Sequence, residues 1–205
     1  MSRMLNKGTP GFEHVPRFWD AARAVTVVKV LPGQYYVSSG GELLATVLGS
    51  CVSACIRDTR AGVGGVNHFM LPDADGAQAG FAADAPHRYG SFAMEAMLNE
   101  LYKRGASRRN LEVKVVGGGA VMRSSAAVGE RNIRFVREFL ENEGMPIAAQ
   151  DVGDACARRV LYDVTTGKML VKRLQGAVEL DVTAEEENYR KTVSTNAPSG
   201  DIELF

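Results

Sequence analysis

The sequence predicts an α+β fold, with helices packed on a mixed sheet, and three observations predict it. Short β-prone runs recur from residues 25–30 to residues 168–173. Only two stretches carry apolar residues at helical spacing, and both are set among the strands. The chain has 205 residues, 45% hydrophobic and 23% charged, enough for one core, and no linker-like stretch divides its middle. A single domain over residues 25–180 is expected, with an N-terminal arm, residues 1–24, and a polar tail, residues 181–205, that reads as disordered.

Taken in order, residues 1–24 lack a sustained period, and Phe12, Phe18 and Trp19 are their candidates for packing. Residues 25–30 and 34–38 read as strands punctuated by Leu31-Pro32-Gly33, and residues 43–48 as a third, ending at Gly49. Residues 52–57 and 63–71 flank Asp58-Thr59-Arg60-Ala61-Gly62, a turn composition, and read as a β-hairpin. Residues 73–88, rich in Ala, Gly and Asp, form a surface loop leaving that hairpin. Ser91 is a plausible N-cap for a helix carrying Met94, Met97, Leu98 and Leu101 on one face and stopping at Gly105. A strand over 111–116 runs into Gly117-Gly118-Gly119. A second helix over 130–143 carries Ile133, Val136, Phe139 and Leu140, and strands follow at 147–152, 157–163 and 168–173. The chain then turns polar through Glu185-Glu186-Glu187, with Ile202, Leu204 and Phe205 near its end.

Composition excludes more than it proposes. With 24 basic and 24 acidic residues the net charge is zero, which supplies no electrostatic basis for nucleic acid or an anionic membrane as partner. No apolar run has the length of a membrane span, and the N-terminus lacks a signal-peptide core, so a cytoplasmic protein without membrane insertion is expected. Three cysteines, Cys51, Cys55 and Cys156, argue against a disulfide framework, and Cys51 with Cys55 lacks the second pair a structural metal site needs; no metal is expected. The three glycines at 117–119 lack the Lys-Ser/Thr of a phosphate-binding loop and read as a close backbone passage.

The stretch that carries chemistry is residues 46–72, where Cys51 follows a Gly-Ser bend and His68 lies seventeen positions later. If the hairpin turn centres near Thr59 or Arg60, facing residue numbers sum to 119 or 120, and Cys51 lies opposite His68 or its neighbour. A free cysteine is also a small buried hydrophobe, and position separates the three: Cys55 lies mid-strand and Cys156 precedes a strand, whereas Gly49 and Ser50 leave room at Cys51 and can turn backbone N–H groups toward a developing oxyanion. A nearby His68 would favour the thiolate, although a core histidine bonded to a carbonyl fits the same spacing; His14 and His87 are the alternatives. Thr46, five residues before Cys51, can orient the imidazole or can simply be a β-branched strand residue.

T-V-L-G-S-C-V, then G-G-V-N-H-F-M-L-P, K-V-V-G-G-G-A and E-R-N together resemble the bacterial chemoreceptor glutamine deamidase family, CheD, over residues 34–175. The resemblance implies a single-domain α-β-α sandwich with a mixed sheet, similar to the catalytic domain of the cytotoxic necrotizing factor toxins. It implies a Cys-His-Thr site at Cys51 (nucleophile), His68 (general acid and base) and Thr46, with backbone donors at Gly49 and Ser50. The implied activity is that of a hydrolase in chemotaxis, a protein-glutamine glutaminase that converts receptor glutamines to glutamates through a cysteine thioester and needs no cofactor. The implied partners are methyl-accepting chemoreceptors and a CheC-like phosphatase, and methylglutamate hydrolysis is compatible with the same chemistry.

Overall fold

The structure is a computed structural model that describes residues 8–71, 85–121, 126–175 and 177–195. Among the described residues ten strands form two mixed sheets, so the α+β class and the mixed pairing expected from the sequence are found, with the β layer divided in two. One sheet contains β1 (Arg17–Asp20), β2 (Val25–Lys29), β4 (Glu42–Leu48), β9 (Arg158–Asp163) and β10 (Met169–Arg173), in the order β1-β2-β4-β9-β10. The other contains β3 (Tyr35–Ser38), β5 (Val52–Asp58), β6 (Gly64–Asn67), β7 (Leu111–Gly117) and β8 (Ile147–Val152), in the order β3-β6-β5-β7-β8. Within each sheet one pair is parallel, β2 with β4 and β7 with β8, and the rest are antiparallel.

The sheets share one core. Along β4 burial alternates with the pleat, sending Leu44, Thr46 and Leu48 inward, while β5 is buried almost throughout because it is covered on both sides. Helices α1 (Ala85–Lys103) and α2 (Ala126–Asn142) pack on each other and on the β3-β6-β5 side of the second sheet, so the layers run helices, sheet, sheet. The β layer of this sandwich is therefore two sheets deep. The cause is the bend at Gly49-Ser50-Cys51, where the chain leaves β4 in one sheet and enters β5 in the other.

Both middle helices begin earlier than their apolar faces suggest. Ser91 lies inside α1 rather than capping it, and Pro86 stands in the first turn, where a missing N–H costs no hydrogen bond. The N-terminal arm is partly integrated: Phe12 is buried against Tyr35 and Tyr36, while Phe18 and Trp19 on β1 remain exposed.

Two expectations are corrected. The hairpin register has facing numbers summing to 121, with Cys55 opposite Val66 and Val52 opposite Phe69, because Asp58 accepts the Arg60 and Ala61 N–H groups and centres the turn later. The tail is not disordered over residues 181–195. It belongs to a third helix, α3 (Ala177–Thr195), whose Val182, Glu186 and Tyr189 recur at i, i+4 and i+7 and turn toward the body of the protein. Most of the loop 73–88, including residues 73–84 and the His87 side chain, and the terminal Ile202, Leu204 and Phe205 lie outside the described residues. Among the described residues no helix is long and apolar enough to cross a membrane.

Candidate active site

The bend between the sheets is held from behind. Gly119 N–H donates to the Gly49 carbonyl at 2.7 Å, Asn132 Nδ2 to the Ser50 carbonyl at 2.9 Å and Gly118 N–H to the Cys51 carbonyl at 2.7 Å. Because each peptide is planar and trans, fixing a carbonyl on one side aims the N–H of the following residue to the other. The glycine run therefore serves as a close backbone passage. Gly117 has φ 111°, and a side chain there would collide with the Cys51 carbonyl.

On the open side, the N–H groups of Gly49, Ser50 and Cys51 converge on the Glu186 carboxylate of α3. Oε1 accepts from Gly49 N at 2.8 Å and Cys51 N at 3.1 Å, and Oε2 from Ser50 N at 2.7 Å and Ser50 Oγ at 2.8 Å. A Cβ on Gly49 would stand 2.7 Å from Oε2, so glycine there leaves the room the carboxylate fills. This is a nest of backbone donors for an anion.

His68 follows the last residue of β6 and is tied by its backbone to Gly33 and Gln34. In the observed register Cys51 faces Met70, and His68 is two residues back on the same face; a two-residue offset keeps the pleat in phase, so thiol and imidazole still meet. The Cys51 sulfur, a His68 ring nitrogen and a Glu186 oxygen lie within 4.8 Å of one another, all buried. Thr46 Oγ1 is 2.9 Å from the Val30 carbonyl and 2.8 Å from His68 Nδ1. The hydroxyl has one proton, and a carbonyl can only accept it, so Oγ1 in turn accepts from Nδ1–H. That assignment leaves Nε2 of the neutral ring with a lone pair, and Nε2 is buried with no hydrogen-bond partner among the described residues.

The protonation states follow from burial. Burial pushes the Cys51 thiol well above its ordinary value, and the Glu186 charge and hydrogen bond add to it. Burial lowers His68 to about 4, against the opposing pull of Glu186. With Glu186 seated, thiol and imidazole are both neutral.

Comparison with known proteins converges on one family. The family model described as CheD chemotactic sensory transduction matches residues 70–173. The chain is 45% identical, over 96% of its length and 93% of the relative's, to a probable chemoreceptor glutamine deamidase CheD of Hahella chejuensis. The chain belongs to the CheD family. It is also 50% identical to the like-named protein of Herminiimonas arsenicoxydans, over 92% of this chain and 93% of that one. For the like-named protein of Saccharophagus degradans the figure is 42%, over 98% and 94%. Among solved structures, the hypothetical protein YfiH of Bacillus licheniformis aligns over 59% of this chain and 51% of its own at 13% identity, with a TM-score of 0.37, too slight a likeness to define a shared fold.

In this CheD-family chain, Cys51, His68, Thr46, Gly49 and Ser50 are brought together at one place. His14 is exposed. Cys55 is fully buried, with burial pushing its thiol up to about 12, and Cys156 lies outside the cluster, its carbonyl accepting from Arg158. Two site residues escape sequence reasoning. Asn132 stands in the E-R-N motif, but nothing in its spacing says that it grips the Ser50 carbonyl. Glu186 is announced only by the Val182, Glu186, Tyr189 spacing, which a run of three glutamates disguises as solvated surface.

Cys51, His68 and Glu186 are also a donor trio close enough to share a metal ion. Each Glu186 oxygen, however, already accepts two hydrogen bonds from N–H or O–H groups, the arrangement of an anion pocket rather than of a metal ligand.

Proposed function

We propose that this protein is a chemoreceptor protein-glutamine deamidase, a hydrolase of bacterial chemotaxis that acts on receptor glutamine side chains from the cytoplasmic side. One observation carries the reading: the three converging N–H groups of residues 49–51 form an anion pocket beside a thiol and an imidazole nitrogen that has no hydrogen-bond partner among the described residues. An acyl-transfer enzyme requires those parts together.

In the proposed reaction His68 Nε2 takes the Cys51 proton and the sulfur attacks the amide carbon of a glutamine. The N–H groups of Gly49, Ser50 and Cys51 hold the oxyanion. His68, kept in its tautomer by Thr46, returns the proton to departing ammonia, then activates the water that hydrolyses the thioester to glutamate. No cofactor enters this sequence. Methylglutamate would pass through the same thioester with methanol as leaving group, and a CheC-like phosphatase is the proposed regulatory partner.

Intact-mass spectrometry of a purified receptor cytoplasmic fragment tests the reading. Wild-type protein should add about one dalton per modified glutamine, the exchange of NH for O that amide hydrolysis requires. Cys51→Ala should add none, and modification by that variant would refute the nucleophile.

A further inference from the structure

We propose that α3 is an intramolecular occupant of the substrate groove, with Glu186 held as a product glutamate would be held after deamidation. The inference rests on the deamidase reading and deepens it by identifying what fills the site when no receptor is bound. Glu186 presents the chemical group the reaction yields, a side-chain carboxylate on a helix. Its two oxygens occupy the donors expected to hold the oxyanion and leave no room for a second acyl group.

The contacts on either side belong to a docked helix rather than to a passing chain. Four residues before Glu186, Val182 is buried in a small cluster with Ala157 and Leu174. Three residues after it, Tyr189 packs on Gly33, where a side chain at φ 79° would strike its ring, and its hydroxyl meets that of Tyr89 on α1. Of the other described side chains of α3, Asp181, Ala184, Glu185, Asn188 and Lys191 are exposed, and Glu187 and Arg190 are half-buried and paired with each other at 3.4 Å. A receptor helix entering by this path therefore meets the same three subsites, one apolar, one catalytic and one beside Tyr89. It must first displace α3.

The occupant also silences the chemistry. Its carboxylate stands beside the thiol and discourages formation of the thiolate, so the free enzyme would rest with an unreactive Cys51. The tether holds the helix at an effective concentration in the millimolar range, which a bound receptor or partner has to overcome.

The decisive variant turns the occupant into a substrate. In Glu186→Gln the side-chain amide carbon would stand where Cys51 attacks. The Sγ–Cδ bond would form and Cδ–N break as His68 protonates the ammonia. Water would then cleave the thioester, return the proton and leave glutamate at position 186. Peptide mass spectrometry of the purified full-length protein should find the residue at 186 converted, heavier by about one dalton, and unconverted in Glu186→Gln/Cys51→Ala. In parallel, iodoacetamide should alkylate Cys51 about tenfold faster or more in Glu186→Ala than in wild type, because four hydrogen bonds to a charged group no longer hold the cover in place.

If the glutamine at 186 persists while the same sample deamidates a receptor fragment, the proposal is overturned and the deamidase reading stands. If neither is modified, both fall. Equal alkylation rates in wild type and Glu186→Ala would overturn the occlusion by themselves.

Discussion

Asn132 offers the sharpest test of how the anion pocket is built. Its side chain is fully buried and makes two hydrogen bonds, Nδ2 to the Ser50 carbonyl and Oδ1 from the Leu71 N–H, both 2.9 Å. Asn132→Ala strands both buried backbone groups, at about 1–3 kcal/mol each, so a loss of about 2–6 kcal/mol is expected. Asn132→Asp keeps the acceptor for Leu71 but sets a carboxyl oxygen against the Ser50 carbonyl, so it loses at least the ~1–3 kcal/mol of that stranded acceptor. In both variants the Ser50–Cys51 peptide is free to rotate, and the Cys51 N–H is no longer aimed at the oxyanion. Loss of one such donor lowers kcat about 10²–10³-fold. Urea unfolding gives the stability term, and the initial rate of receptor deamidation by intact mass gives the catalytic one. An Asn132→Asp protein that is destabilised yet turns over at the wild-type kcat would refute the alignment argument, leaving Asn132 a purely structural clamp.

Other outcomes follow from the same geometry. Thr46→Val removes the acceptor for Nδ1–H and frees the imidazole to adopt the wrong tautomer. It should forfeit part of the ~10²–10⁴-fold that acid–base catalysis supplies, with KM little changed, and Thr46→Ser should restore it; an unaltered kcat would count against the relay. Gly117→Ala forces a side chain toward the Cys51 carbonyl at φ 111° and should destabilise the protein by about 1–3 kcal/mol in thermal unfolding, whereas a neutral result would mean that the loop relaxes freely. Asp58 is raised by burial but lowered more by the N–H groups of Ser107, Ala61 and Arg60 and by Asn110, to about 2. A depressed carboxylate stabilises the fold above its unfolded pKa, about 4, and that stability is lost as pH falls toward about 2. Urea midpoints of Asp58→Asn should therefore fall less steeply than those of wild type over that interval, and parallel curves would contradict the assignment.

What the sequence determined by itself was local. Strand propensity and turn residues located the strands of the domain, and the apolar period located α1 and α2, because those signals arise from neighbours along the chain. The Gly-Ser bend before Cys51 marked it as the candidate nucleophile, since room and backbone donors at a bend are local properties as well. The exact pairing was not local: Asp58 shifted the turn and moved the register by one or two from the expected sums, and the Cys51–His68 meeting survived because the shift from 119 to 121 keeps side chains on the same face. Only the tertiary structure decided that the β layer divides at this bend, that Gly119 and Asn132 turn the Ser50 and Cys51 N–H groups outward, and that Thr46 reaches His68 across the sheets. It also decided the fate of the tail. A run of glutamates reads as solvated until a pocket of backbone donors is present to receive one of them, and that pocket is built from residues more than a hundred positions away.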